Sequence, residues 1–142
     1  MDVSQQVQRV MERIRQAALA AGREPGEITL CAATKVQTDE TIRAAIAAGV
    51  RVCGENRVQE LAAHLAADAY AVAEQVHFIG HLQTNKVKQV VGHVDLIQSV
   101  GSAHLLQAIQ NQADKQGIIQ DIHFDHLFCL DSVYDSVRSE EG

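Results

Sequence analysis

The sequence predicts an α/β protein built from parallel βα units. Two observations predict it. Short runs rich in β-branched and other apolar residues alternate with longer amphipathic stretches. A strand-like run also returns about every two dozen residues, the rhythm of strands joined by crossover helices. No linker or low-complexity stretch interrupts the series.

Each element has its own local reason. Val3, Val7, Val10, Ile14, Ala17 and Ala18 recur at helix spacing, and Gly22 with Pro25 ends that first helix. Ile28 to Thr34 reads as a buried strand ending at Lys35. Thr38 suits the cap of the next helix, Asp39 and Glu40 favour its first turn, and Gly49 suits its end. Val50 to Cys53 is a short second strand leading into Gly54-Glu55-Asn56. A third helix carries Val58, Leu61, Ala62 and Leu65 on one side. Val76 to Gly80 forms a third strand, and a short helix from Thr84 or Asn85 closes at Gly92. Val94 to Val100 is the fourth strand. Ser102 caps a helix bearing Leu105, Leu106 and Ile109 that ends at Gly117, and Ile118 to Phe124 begins a fifth strand.

Two architectures share this rhythm, the doubly wound sheet and the (β/α)8 barrel. No Gly-x-Gly-x-x-Gly follows any strand, so the dinucleotide fingerprint is missing. In a barrel, functional residues gather at the carboxyl ends of the strands. Lys35, Glu55, Asn56, His81 and Ser99 all fall there.

Composition narrows the function classes. The 142 residues are 46% hydrophobic with mean hydropathy near zero, as in a globular domain with a real core. No apolar run approaches the ~20 residues of a membrane span, and the start lacks a basic-then-apolar leader, so no membrane role is expected. The net charge is −6, the basic residues are scattered and aromatics are 4%, which argues against nucleic acid as a partner. Cys31, Cys53 and Cys129 have no metal spacing, and a reduced, cytoplasmic protein is expected. His77 and His81 lie four apart, but across a strand and its turn, where that spacing does not bring side chains together; zinc is not expected.

Lys35 is the sharpest chemical feature. It is one of four lysines and the first in the chain, and it ends an apolar run. Desolvation disfavours an ammonium, which is how a lysine becomes a nucleophilic amine fit for Schiff-base chemistry. The same position also suits a lysine that has reached the surface and snorkels. Asn56 fits either a ligand contact or the start of the following helix, and Glu55 either orients a polar group or favours that helix start.

Three blocks then line up: Ala33-Thr34-Lys35, Gly54-Glu55-Asn56-Arg57-Val58-Gln59-Glu60, and His77-Phe78-Ile79-Gly80-His81-Leu82-Gln83-Thr84-Asn85-Lys86. In this order and spacing they resemble the pyridoxal phosphate homeostasis protein (YggS/PROSC) family, related to the amino-terminal barrel of alanine racemase. The resemblance runs from the first helix to about Ile122. It implies a (β/α)8 barrel with an extra amino-terminal helix, of which this chain holds about the first five βα units. It implies pyridoxal 5′-phosphate (PLP) as cofactor, held as an internal aldimine on Lys35 with Asn56 nearby. It implies a non-catalytic carrier in intracellular vitamin B6 homeostasis, with apo PLP-dependent enzymes as recipients. A racemase-like enzyme on amino acids would need a second acid/base opposite the lysine, and an inactive fragment is the third alternative.

The chain departs from that pattern near its end. A complete barrel needs ~200 residues or more. Residues 1–122 are expected to be the amino-terminal part of the PLP-binding barrel, and residues 123–142 a tail foreign to the family and the least ordered part. On this reading the chain is truncated at its carboxyl end. The family's phosphate cradle belongs mainly to the half beyond it. Full-length relatives are expected to be monomers, and the short chain to self-associate through an unpaired sheet edge.

Overall fold

In the computed structural model, which describes residues 1–124, five strands follow one another across the sheet in chain order. They are β1 (Cys31–Ala33), β2 (Val52–Glu55), β3 (Gln75–Phe78), β4 (Leu96–Val100) and β5 (Asp121–Phe124). The helices are α1 (Val3–Ala20), α2 (Asp39–Ala47), α3 (Val58–Ala66) and α4 (Ala103–Gln116), with 3-10 segments at Pro25–Glu27 and Thr84–Gln89. A doubly wound sheet reverses its strand order at a switch point, whereas a barrel winds each strand beside its predecessor. The order here is the barrel's, so the partial-barrel reading holds.

The chain divides into two compact units. The first comprises residues 1–55 and 59–76. Helix α1 opens with a capping box, in which the Asp2 side chain accepts from the Gln5 backbone and the Gln5 side chain accepts from the Asp2 N–H. Its inward stripe is Val3, Val7, Met11, Ile14 and Ala18; Val10 lies on the exposed side. Gln8 ties it to α2 through the Ala48 carbonyl at 2.9 Å. Thr38 caps α2 as its sequence suggests, accepting from the Thr41 N–H. β1 pairs parallel with β2 in the register Cys31–Val52, Ala32–Cys53 and Ala33–Gly54. Ile42, Val52, Cys53, Leu61, Ala69, Tyr70 and Val76 are among the residues of its core.

The second unit comprises residues 56–58 and those from 77 onward. β3 pairs with β4 (His77–Leu96, Phe78–Ile97), and β4 with β5 (Ile97–Ile122). The β4–β5 register shifts between Ile97 and Val100, where Ser99 takes a positive φ of 59°, so a bulge turns the strand end. Phe78, Val90, Val91, Ile97 and Val100 are fully buried. Ser102 caps α4 by accepting from the Leu105 N–H. Gly117, at φ 66°, ends it in the left-handed conformation, and the Ile118 N–H returns to the Ala113 carbonyl at 3.1 Å.

Three expectations are corrected. The first strand is only Cys31–Ala33, because Pro25–Glu27 forms a 3-10 turn and Ile28 to Leu30 merely lead in. It is also not buried: Cys31 and Ala32 are half-buried and Ala33 is exposed, since β1 stands at the end of the strand order with β2 alone beside it. On α3 the buried stripe is Val58, Leu61 and His64, whereas Ala62 is exposed. Apart from its first two residues, His123 and Phe124, the expected tail lies outside the described residues, as does Cys129.

Candidate functional site

The end of β1 runs into a tight turn that carries Lys35. The Thr34 N–H continues the ladder to the Gly54 carbonyl at 3.0 Å, and the Gln37 N–H closes back onto the Thr34 carbonyl at 3.2 Å. Lys35 and Val36 are the two central residues of this turn. Val36 has φ 54°, a left-handed conformation for which glycine or asparagine is the usual choice at that turn position. A β-branched residue there carries backbone strain of about 1–3 kcal/mol and persists only where its surroundings enforce it.

Thr34 is buried, whereas Lys35 and Val36, in the turn, are exposed. The amine of Lys35 has no hydrogen-bond or ion-pair partner among the described residues. Of the two readings the sequence left open for this lysine, the structure shows the one that reaches the surface, for the same reason that β1 is exposed: only β2 flanks it.

Behind the turn lies a buried polar cluster. Glu55, the last residue of β2, has no exposed surface. Its Oε1 accepts from the Tyr70 hydroxyl and lies 3.2 Å from Thr34 Oγ1 and 2.5 Å from His64 Nδ1. Thr34 and Tyr70 are also in contact through their hydroxyls at 2.7 Å. On the other side of its ring, His64 Nε2 is 3.1 Å from the Gln37 carbonyl and 3.9 Å from Asp39. Glu55 Oε2 has no hydrogen-bond partner among the described residues.

Desolvation works against a charge on His64. The Glu55 hydrogen bond and carboxylate, the Gln37 carbonyl and Asp39 outweigh it, and the histidine pKa is raised. Burial first, and then the Glu55 hydrogen bond, raise that of Tyr70, so its hydroxyl stays protonated and donates. Burial pushes the Cys53 thiol up to about 11, helped by Cys31 and Glu55, and also raises Cys31.

Asn56 follows Glu55 directly and is half-buried. It does not act as a helix cap: α3 begins at Val58, and Asn56 Oδ1 is buried without a hydrogen-bond partner among the described residues. Gly80 packs against it so closely that a Cβ at that glycine would stand 2.3 Å from the Asn56 carbonyl oxygen and 2.9 Å from its Cα. Elsewhere in the second unit, Gly80, His81, Thr84, Ser99 and Ser102 line an open cleft of about 740 Å³ at the carboxyl ends of β3 and β4. His77 faces Gln98 at 3.0 Å, and no group of three or more potential metal ligands occurs among the described residues.

Sequence reading thus pointed to Lys35, Asn56 and Glu55 but missed His64 and Tyr70. A signal for His64 was present, since it stands three residues after Leu61 on the buried stripe of α3. Tyr70 lies in the turns after α3, where no periodicity announces it.

Parallel strands wound in chain order, with an amine just past the first of them, define the class as a barrel-type α/β protein. No protein-family model matches the chain. It is 42% identical over 122 residues to the pyridoxal phosphate homeostasis protein of Aquifex aeolicus, covering 86% of this chain and 53% of that one. It is 36% identical over 110 residues to that of Pseudomonas aeruginosa, covering 78% and 47%. Among solved structures, PipY of Synechococcus elongatus with PLP bound superposes with a TM-score of 0.65 at 34% identity, over 77% of this chain and 51% of that one. A Bifidobacterium adolescentis protein does so with a TM-score of 0.76 at 42% identity, over 84% and 53%. The curated relatives that this chain matches are named pyridoxal phosphate homeostasis proteins. The chain spans about half their length.

Proposed function

We propose that this chain contributes the lysine-bearing part of a site that holds pyridoxal 5′-phosphate in intracellular vitamin B6 homeostasis, with covalent attachment at Lys35. The observation that carries the reading is an exposed amine, free of partners among the described residues, in a turn that the Gln37 N–H closes onto the Thr34 carbonyl. When bound, the cofactor supplies an aldehyde that condenses with a lysine amine, forming a C=N bond and releasing one water.

The residues present fit that group. Lys35 offers its amine without first breaking an ion pair. Asn56 offers a side-chain oxygen that is buried and unsatisfied, a cost normally avoided in proteins and one that a bound polar group would remove. We assign Asn56 to the cofactor's polar substituents. Gly80 keeps that loop in place by leaving room for the Asn56 backbone. The related PipY, solved with PLP bound, supports PLP as the ligand. No helix among the described residues is long and apolar enough to cross a membrane.

The reading extends to a carrier that hands the vitamer to apo enzymes in the cytoplasm. The test is a spectral titration with PLP. A visible absorbance band that saturates, and is lost in Lys35→Ala, is expected. A band of equal amplitude in Lys35→Ala would overturn the assignment.

A further inference from the structure

We propose that Glu55, His64, Tyr70 and Thr34 form a positioning device for Lys35, which fixes the amine by bracing its turn from behind. The inference rests on the assignment of PLP to Lys35. The brace grips both sides of that residue. Thr34 precedes Lys35 and lies 3.2 Å from Glu55 Oε1, while Gln37 follows it and holds His64 Nε2 through its carbonyl at 3.1 Å. His64 Nδ1 joins the two halves at 2.5 Å from the same Glu55 oxygen. Between the two grips sits Val36 at φ 54°.

Three features mark this cluster as more than core packing. A fully buried carboxylate is costly, and Glu55 bears that cost with its Oε2 left without a hydrogen-bond partner among the described residues. Here every contact converges on one oxygen, and all three partners are themselves buried, Thr34 at 5%, Tyr70 at 7% and His64 at 8% exposure. A valine that is 82% exposed gains little from packing, so its strained φ is imposed by what holds the turn. Both nitrogens of His64 face acceptors, so the ring with a proton on each can satisfy Glu55 and Gln37 at once. The charged groups facing it are Glu55 from β2 and Asp39 from α2, with the edge of Tyr70 at 5.9 Å. Positioning matters because a reacting group held in place reacts far faster than one that samples a loop.

The experiment compares wild type, Glu55→Gln, Tyr70→Phe and Val36→Gly. PLP is added, the adduct is fixed with borohydride, and peptide mapping compares Lys35 with Lys86, Lys88 and Lys115. Hydrogen exchange at the Gln37 amide, read without cofactor, runs alongside. The expected result is a tenfold or greater loss of Lys35 adduct in Glu55→Gln and about threefold in Tyr70→Phe, with the other lysines unchanged. Gln37 exchange should quicken at least tenfold in Glu55→Gln. Val36→Gly, which relieves the strained φ, should keep or raise its melting temperature yet lose Lys35 adduct severalfold, which a purely structural role would not produce. In the wild type the pH profile of Lys35 attachment should carry a histidine inflection that His64→Gln removes. Folded Tyr70→Phe and Val36→Gly variants with wild-type Lys35 adduct would overturn the proposal, whether or not Glu55→Gln folds. Absence of a Lys35 adduct in the wild type would instead sink the PLP assignment, and unchanged Gln37 exchange in the variants would then sink the brace as well.

Discussion

His64 Nδ1 stands 2.5 Å from Glu55 Oε1, joining a helix histidine to a strand-end carboxylate that has no exposed surface. This contact links α3 to the end of β2. Through Gln37 it also reaches the turn that carries Lys35. Stability and site geometry therefore depend on the same pair.

That pair makes stability depend on pH. The folded pKa of His64 is raised, chiefly by Glu55 against the opposing desolvation. A raised pKa means that the folded state binds the proton more tightly than the unfolded state. The added stability is complete below the unfolded histidine value, about 6.5, and is lost as pH rises through the higher folded value. Urea denaturation of wild type should show stability falling across that window, with a flatter profile in His64→Gln. Parallel profiles would show that the pair does not carry the dependence.

Gly80→Ala should be strongly destabilising. The added Cβ would meet the Asn56 carbonyl oxygen at 2.3 Å and its Cα at 2.9 Å, both backbone atoms that cannot swing aside. Overpacking of this kind costs about 1–3 kcal/mol, and the upper part of that range is expected. Chemical denaturation reads it directly. A loss below about 0.5 kcal/mol, within the scatter of ordinary surface substitutions, would mean that the Asn56 loop yields easily.

Cys53 should be nearly inert in the folded protein. With its pKa pushed up to about 11 and its side chain buried, only about one thiol in several thousand is ionised near pH 7.5. Iodoacetamide labelling followed by peptide mapping should find Cys53 modified at least a hundredfold more slowly than after unfolding. Cys31, half-buried and also raised, should fall between. Equal rates for native and unfolded Cys53 would contradict the burial.

Much of the fold was legible because local rules and the fold agree. Thr38, Ser102 and Gly117 mark helix ends in the sequence and do so in the structure. The strand order was legible only as a rhythm, since two windings share it. The extent of β1 was not legible: Ile28 to Leu30 have strand-like composition, but the Pro25–Glu27 turn sets the entry and leaves three paired residues. At the site, Lys35 announced itself as an amine ending an apolar run. Its exposure did not, because exposure depends on which strands flank it. Glu55 read equally well as a helix-start residue, and only the tertiary return of His64 and Tyr70 shows what it holds. Partnerships across nine and fifteen residues leave no period in a sequence.

The most direct test of the central claim is to locate the covalent bond. PLP is incubated with the protein, the C=N bond is reduced with borohydride to a secondary amine, and every lysine-containing peptide is quantified by mass. The account predicts a pyridoxyl group on Lys35 at saturating yield, with Lys86, Lys88 and Lys115 labelled only at the level of free surface amines. Labelling spread evenly over the four lysines, or concentrated away from Lys35, would contradict it.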